Sequence, residues 1–236
     1  MTETSFRSRP VTAGTAGPGD REPAVDTAAV AARVAAALPP LDEDQRRAGI
    51  AVYRLLAGGI PVTAKEVGAL AGLDPVRARR VLADLPTARH QGGLVTAFLG
   101  LQASPGAHRM RFGPVDTATW CAWDTLFIPL LIGRPARAES TCPVTAAPVV
   151  VEVDPSGAVA VEPAGAQLTF LGSPRPYRGN VVEGFCRWVH FVADSAAGDR
   201  WRRDAAAERE DAMVLPIDAG VAIGRVTNLA VFGHAG

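Results

Sequence analysis

The chain has 236 residues, of which 48% are hydrophobic and 20% charged, with 24 Lys and Arg against 24 Asp and Glu. That composition excludes a disordered protein, and the length suits one large domain or two modest ones. A formal net charge of zero leaves no global electrostatic footprint for nucleic acid or an anionic membrane, so neither is expected as a partner.

Residues 1–25 are rich in Pro, Gly, Thr and Ser and are expected to form a flexible tail. They lack the apolar stretch of a secretory signal, which makes a cytoplasmic location the expectation. Asp26 or Thr27 opens a helix through Leu38, with Val30, Val34 and Leu38 on one face and Pro39-Pro40 as the stop. A second helix is expected from Asp42 to Ala57, ended by Gly58-Gly59. Thr63 and Glu66 make a capping box for a short helix to Gly72, and Asp74-Pro75 opens the next. The runs "LVTAFLGL" (94–101) and "HRMRFG" (108–113) read as a hairpin, and with the helices before them as a winged helix.

Such a unit raises DNA binding by a metal- or thiol-responsive regulator as one functional class. Between Lys65 and Arg89, however, five basic residues face three acidic ones, which is thin for phosphate neutralisation. The expected domains are a winged-helix-like one over 26–114 and an α+β one over 115–236. The fold class is α+β: a helical N-terminal unit, then a mixed or antiparallel sheet with packed helices.

The second half opens on "ATWCAWDTLFIPLLIG" (118–133), predicted to be helical up to Pro129. Its longest apolar run, Leu126 to Gly133, falls well short of the roughly 20 residues that cross a bilayer. On a helix Cys121 and Asp124 share a face, one turn apart. A buried carboxylate must be hydrogen-bonded, paired or protonated, and no Lys or Arg lies within four residues of Asp124. An Asp that bonds a nearby backbone N–H and stays unburied is the alternative. "VVVEV" and "AVAVEP" form a hairpin around Asp154-Pro155-Ser156-Gly157, and "AQLTFLG" is a strand. "SPRPYRGN" is a loop, "VVEGFCRWVHFVAD" fits a helix or a strand, "DRWRRDAAAEREDAM" is a helix, and a short strand with an apolar helix ends the chain.

The three cysteines, Cys121, Cys142 and Cys186, are too few and too odd in number for a disulfide scaffold. Gaps of 21 and 44 residues between them, with no C-x-x-C, do not suit zinc. Cys186 and His190 are four apart, and the other histidines (His90, His108, His234) are scattered. From base rates alone a free cysteine is a small buried hydrophobe.

Two stretches change that. "WCAWDTLFIPLLIGRPARAESTCPVTAAPVVVEVDPSGAVAVEPAG" (120–165) and "GFCRWVHFVAD" (184–194) closely resemble the organomercurial (alkylmercury) lyases. The Cys-x-x-Asp, the "IGRPARAESTC" step and the late "FC…VHF" follow the family's order, and the likeness extends over roughly residues 45–225. The resemblance implies that Cys121 and Cys186 are the catalytic thiols and mercury ligands and Asp124 the catalytic carboxylate, also close to the Hg(II) product. It implies that Cys142 is structural. Arg187-Trp188 stand where some relatives carry another Cys and a His.

The implied reaction is protonolysis of a carbon–mercury bond to a hydrocarbon and Hg(II). The implied substrate is an organomercurial. No organic cofactor or resting metal is implied. External thiols would remove the product, and a mercuric reductase would accept the Hg(II). A lyase-like Hg(II)-binding protein without turnover is the alternative within the family.

The residue types suit this chemistry. Mercury is soft and thiolate is its natural ligand. An ordinary Asp, with pKa about 3.9, is protonated in roughly one molecule per thousand at pH 7, a penalty of about 4 kcal/mol. An apolar wall of Trp120, Trp123 and Phe127 would lower that penalty, and a thiol deprotonated by mercury would supply the proton. The geometric expectation is that Cys121, Asp124 and Cys186 converge on one pocket and Cys142 stays outside it.

Overall fold

The computed structural model describes residues 25–157, 159–174 and 180–233. The expected tail up to residue 24, residues 175–179 of the expected loop and His234 lie outside them. Helix α1 (Thr27–Ala37) is capped by Asp26, which accepts the Ala29 N–H. Helix α2 (Glu43–Leu56) opens with reciprocal capping between Asp42 and Gln45, and α3 (Ala64–Ala71) with the same between Thr63 and Glu66. Helix α4 (Pro75–Ala83) starts on Asp74 and Pro75. These starts follow their sequence signals because short polar side chains satisfy N–H groups that have no helical partner.

The strands that follow differ from expectation. β1 (Arg89–Gln91) and β2 (Leu94–Phe98) form a hairpin through Gly92 and Gly93, both at positive φ. The runs 94–101 and 108–113 do not pair with each other. Instead β3 (Leu101–Gln102) and β4 (His108–Phe112) flank β5 (Val115–Thr119), which is antiparallel to both. Gly113, at φ 63°, is the first residue of the two-residue link from β4 to β5, a tight connection that the longer 103–107 segment cannot match.

The next helix, α5 (Asp124–Ile132), begins later than expected and runs through Pro129 to Gly133. Proline inside a helix forfeits one hydrogen bond and costs about 3 kcal/mol. All nine residues of α5 are buried, however, and its burial outweighs that loss. Strands β6 (Ala136–Thr141), β7 (Pro148–Val153) and β8 (Val159–Glu162) complete an eight-stranded antiparallel sheet in the order β1-β2-β3-β5-β4-β6-β7-β8. The expected β7–β8 hairpin forms. The sheet runs without a break across residues 114–115, where β4 and β5 pair.

After β9 (Gln167–Leu171), the ambiguous segment is neither one helix nor one strand. It holds a one-turn helix α6 (Val181–Gly184), a 3₁₀ turn (Cys186–Trp188) and a two-residue strand β10 (Phe191–Val192). Helix α7 (Ser195–Ala205) leads to β11 (Ala212–Pro216), and a small sheet forms in the order β10-β9-β11. The final helix α8 (Ile217–Phe232) packs on α1 and α5. Among the described residues no helix is long and apolar enough to cross a membrane.

Candidate active site

The site is built where β5 turns into α5. Cys121 is not on the helix, contrary to the one-face argument: it lies in the turn, and Asp124 is the first helical residue. The turn brings them together by another route. The Thr119 hydroxyl donates to the Cys121 carbonyl (2.9 Å), and the Cys121 N–H donates to Asp124 Oδ2 (2.8 Å). The Thr125 hydroxyl donates to the Ala122 carbonyl at 2.7 Å. Asp124 therefore reaches back from the first helical position to close the turn before its helix, and the helix N-terminus itself has no side-chain cap.

Cys186 opens the 3₁₀ turn, so it shares no helix face with His190. Its segment is tied to the first one through the backbone, the Ala122 N–H donating to the Val189 carbonyl at 3.1 Å. The Cys121 and Cys186 sulfurs and an Asp124 carboxylate oxygen then all lie within 4.8 Å of one another, and all three residues are buried. Both cysteines are free thiols, hydrogen-bonded to each other. Cys142 is buried apart from them, in a turn where its N–H donates to the Ala147 carbonyl.

Electrostatics follow from burial. Asp124 is 5% exposed, and desolvation raises its carboxyl pKa to about 7, against the opposing N–H bonds from Cys121 and Trp120 and the Cys121 thiol. Burial also pushes the Cys121 thiol well up, helped by its bond to Cys186 and the Asp124 charge. The bond from Cys121 lowers the Cys186 thiol, but burial and Asp124 outweigh it and leave that thiol raised too. Near neutral pH the thiols are thus protonated, and Asp124 titrates in that range.

Asp124 and Cys186 line a cavity of about 30 Å³, with Trp120, Trp123, Phe127, Phe185 and residues of α1 and α8, whereas Cys121 sits behind them and is not part of its wall. The three expected aromatic residues are all on its wall. At this volume an aryl group enters only if lining side chains move. Two polar side chains of α8, Thr227 and Asn228, also line it. His108 and His190, scattered in sequence, stack with ring centres 6.1 Å apart and are not members of the cluster, and burial, then His190, drives the His108 pKa down to about 3.

Sequence reasoning missed three neighbours. Gly100, at φ 105°, lies against the carboxylate: a Cβ there would sit 2.4 Å from Asp124 Cγ. Tyr53 is fully buried and donates to the Leu99 carbonyl at 2.7 Å, and burial, then the Asp124 charge, raises its pKa. The lining from α1 and α8 is the third. An isolated glycine in the run "LVTAFLGL" was the one available signal, since such a residue marks close approach; the others left no local trace.

Comparison with known proteins identifies the family. The family model for MerB, alkylmercury lyase, matches residues 101–227, just over half the chain. An alkylmercury lyase of Streptomyces lividans is 34% identical over 175 residues, covering 74% of this chain and 78% of that protein. One from Staphylococcus epidermidis is 31% identical with the same coverage, and one from Pseudomonas putida is 32% identical over 64% of this chain and 71% of its own. A crystal structure of the mercury-bound form of MerB2 superposes with a TM-score of 0.66 at 16% identity, covering 87% of this chain and 98% of that one, which supports the α+β fold. On the family match and these identities, the chain belongs to the alkylmercury lyase family and is a lyase.

Proposed function

We propose that the protein cleaves carbon–mercury bonds by protonolysis, with Cys121 and Cys186 as the mercury ligands and Asp124 as the proton carrier. The observation that carries this reading is the three-group cluster, two soft sulfurs and one carboxylate within 4.8 Å, of which Asp124 and Cys186 face an apolar cavity.

The balance of the reaction is R–Hg–X plus two thiols giving R–H, HX and Hg(II) held by two thiolates. One thiol proton leaves with X. The other passes to Asp124, which near pH 7 is half ionised and able to take it. As the second sulfur binds, both thiolates push electron density onto mercury and its carbon. Asp124, now protonated, delivers the proton to that carbon as the Hg–C bond breaks. Burial makes the transfer feasible: a carboxyl held near pKa 7 is a far better acid at neutral pH than one at about 3.9. The apolar wall holds the organic group and excludes competing water. Hg(II) then leaves to external thiols, with a mercuric reductase as the downstream acceptor.

The test is benzene release from a phenylmercury salt. Asp124→Ala should lower it by about 10²–10⁴-fold, the usual contribution of a positioned acid. Wild-type rates in that variant would sink the mechanism. Stoichiometric Hg(II) binding with no benzene from the wild type would favour the non-catalytic alternative.

A further inference from the structure

A wider cavity, of about 490 Å³, lies outside the site between the loop before β1 and the start of α6. It shares Trp120 and Val181 with the site cavity, so the two are neighbours through one aromatic wall. Among the described residues, Arg89 is the one charged side chain lining it. The Arg89 guanidinium carbon stands 4.4 Å from the centre of the Trp120 ring. None of the ion pairs among the described residues includes Arg89.

Thr87 and Trp120, on the same wall, each carry a buried donor without a partner, Oγ1 and Nε1. Both atoms are buried beneath the wall, so Arg89 is the group the vestibule offers a ligand, and among the described residues no acid lines it. Its chemistry is complementary to a carboxylate, which only accepts hydrogen bonds and carries the opposite charge.

We propose that this vestibule receives a low-molecular-mass thiol bearing a carboxylate, and that Arg89 holds the carboxylate while the sulfur reaches Hg(II) on Cys186 and Cys121. The proposal rests on the lyase reading for how mercury arrives, not for its release. In the exchange, the incoming sulfur bonds to mercury, the Cys186–Hg bond breaks, and Cys186 takes up the proton that the incoming thiol gave up. A second thiol does the same at Cys121. Mercury stays Hg(II) throughout, and no electrons are transferred. The organic group of the substrate belongs in the apolar inner cavity, which leaves the polar outer one to the thiol.

The experiment loads the full chain with one equivalent of mercuric chloride and follows its release to mercaptoacetate, 2-mercaptoethanol and cysteamine. Each thiol's rate is taken as the wild-type to Arg89→Gln ratio, which cancels intrinsic differences between the thiols. One charge step at ~5 Å in water is worth about fourfold, so the anionic-over-cationic preference should fall by roughly tenfold in Arg89→Gln at low salt. Arg89→Lys should keep most of the preference, and high salt should erase it in the wild type. An unchanged preference in Arg89→Gln overturns the proposal. So does an Arg89→Gln effect confined to hydrocarbon release from a carboxylated arylmercurial, which would give the vestibule to the substrate. Because the release assay needs no carbon–mercury cleavage, failure of the lyase reading shows separately, as absence of benzene from phenylmercury.

Discussion

The two halves of the site are built differently. Thr119–Gly133 enters from a strand of the large sheet and leaves as a fully buried helix, and its turn is closed by its own hydrogen bonds among Thr119, Cys121, Asp124 and Thr125. Val181–Val192 has only a four-residue helix, a 3₁₀ turn and a two-residue strand. It is held largely by distant partners: Arg209 donates to the Gly184 carbonyl at 3.0 Å, the His190 N–H donates to the Thr169 hydroxyl at 2.7 Å, and Val189 accepts from Ala122. Under the proposed mechanism, the thiol and carboxylate that exchange a proton sit together on the locally closed half. The second thiol comes from the half whose position depends on the rest of the fold.

The comparison sets an order of expected effects. Removing either sulfur is the largest: Cys121→Ala or Cys186→Ala should cost more than about 100-fold in Hg(II) retention against a competing thiol, since even outer-shell changes at metal sites reach that size. Equal retention by one single variant and the wild type would show that the halves do not share the metal.

Next is the Asp124 carboxyl, whose folded pKa of about 7 lies above its unfolded value of about 3.9. Between these values the folded state holds a proton that the unfolded state does not, so stability falls as pH rises from about 4 to about 7 and then levels off. The full loss is about 4 kcal/mol, and urea melts of Asp124→Asn should lack this component. A wild-type melt unchanged over that window would contradict the raised pKa.

Gly100→Ala should follow. Its Cβ would overlap the Asp124 carboxyl, and φ 105° is strained for alanine, so a loss of about 1–3 kcal/mol is expected together with reduced benzene release. The smallest effect is on the other half. Asn180 caps α6 by accepting from Val182 and Glu183, and Asn180→Ala should cost about 1 kcal/mol. Hydrogen exchange should then quicken over 181–189 and stay unchanged over 119–133; equal acceleration in both would mean that the halves open as one unit.

Much of the architecture was legible because its signals are local. Asp26, Asp42, Thr63 and Asp74 announce helix starts, and Asp154-Pro155-Ser156-Gly157 announces a hairpin that forms. The strand β5, with Asp116, Thr117 and Thr119 among its five residues, carries no apolar alternation to mark it, and with it the pairing of β3 and β4 was misassigned. The cluster of Cys121, Asp124 and Cys186 was expected from the family resemblance, but the helical-face reason for the first two was incorrect.

The chain's sequence alone determined the residue types: two soft sulfurs, a carboxylate without a nearby cation, and the aromatic residues around them. It also determined the caps and turns, because each is settled by atoms a few residues apart. The tertiary structure alone decided that residues 65 positions apart meet. It also decided that Gly100 and Tyr53 back the carboxylate, and that α1 and α8 close the pocket. Burial is a property of the whole packed molecule, so the same packing turns an ordinary Asp into a group that titrates near neutral pH.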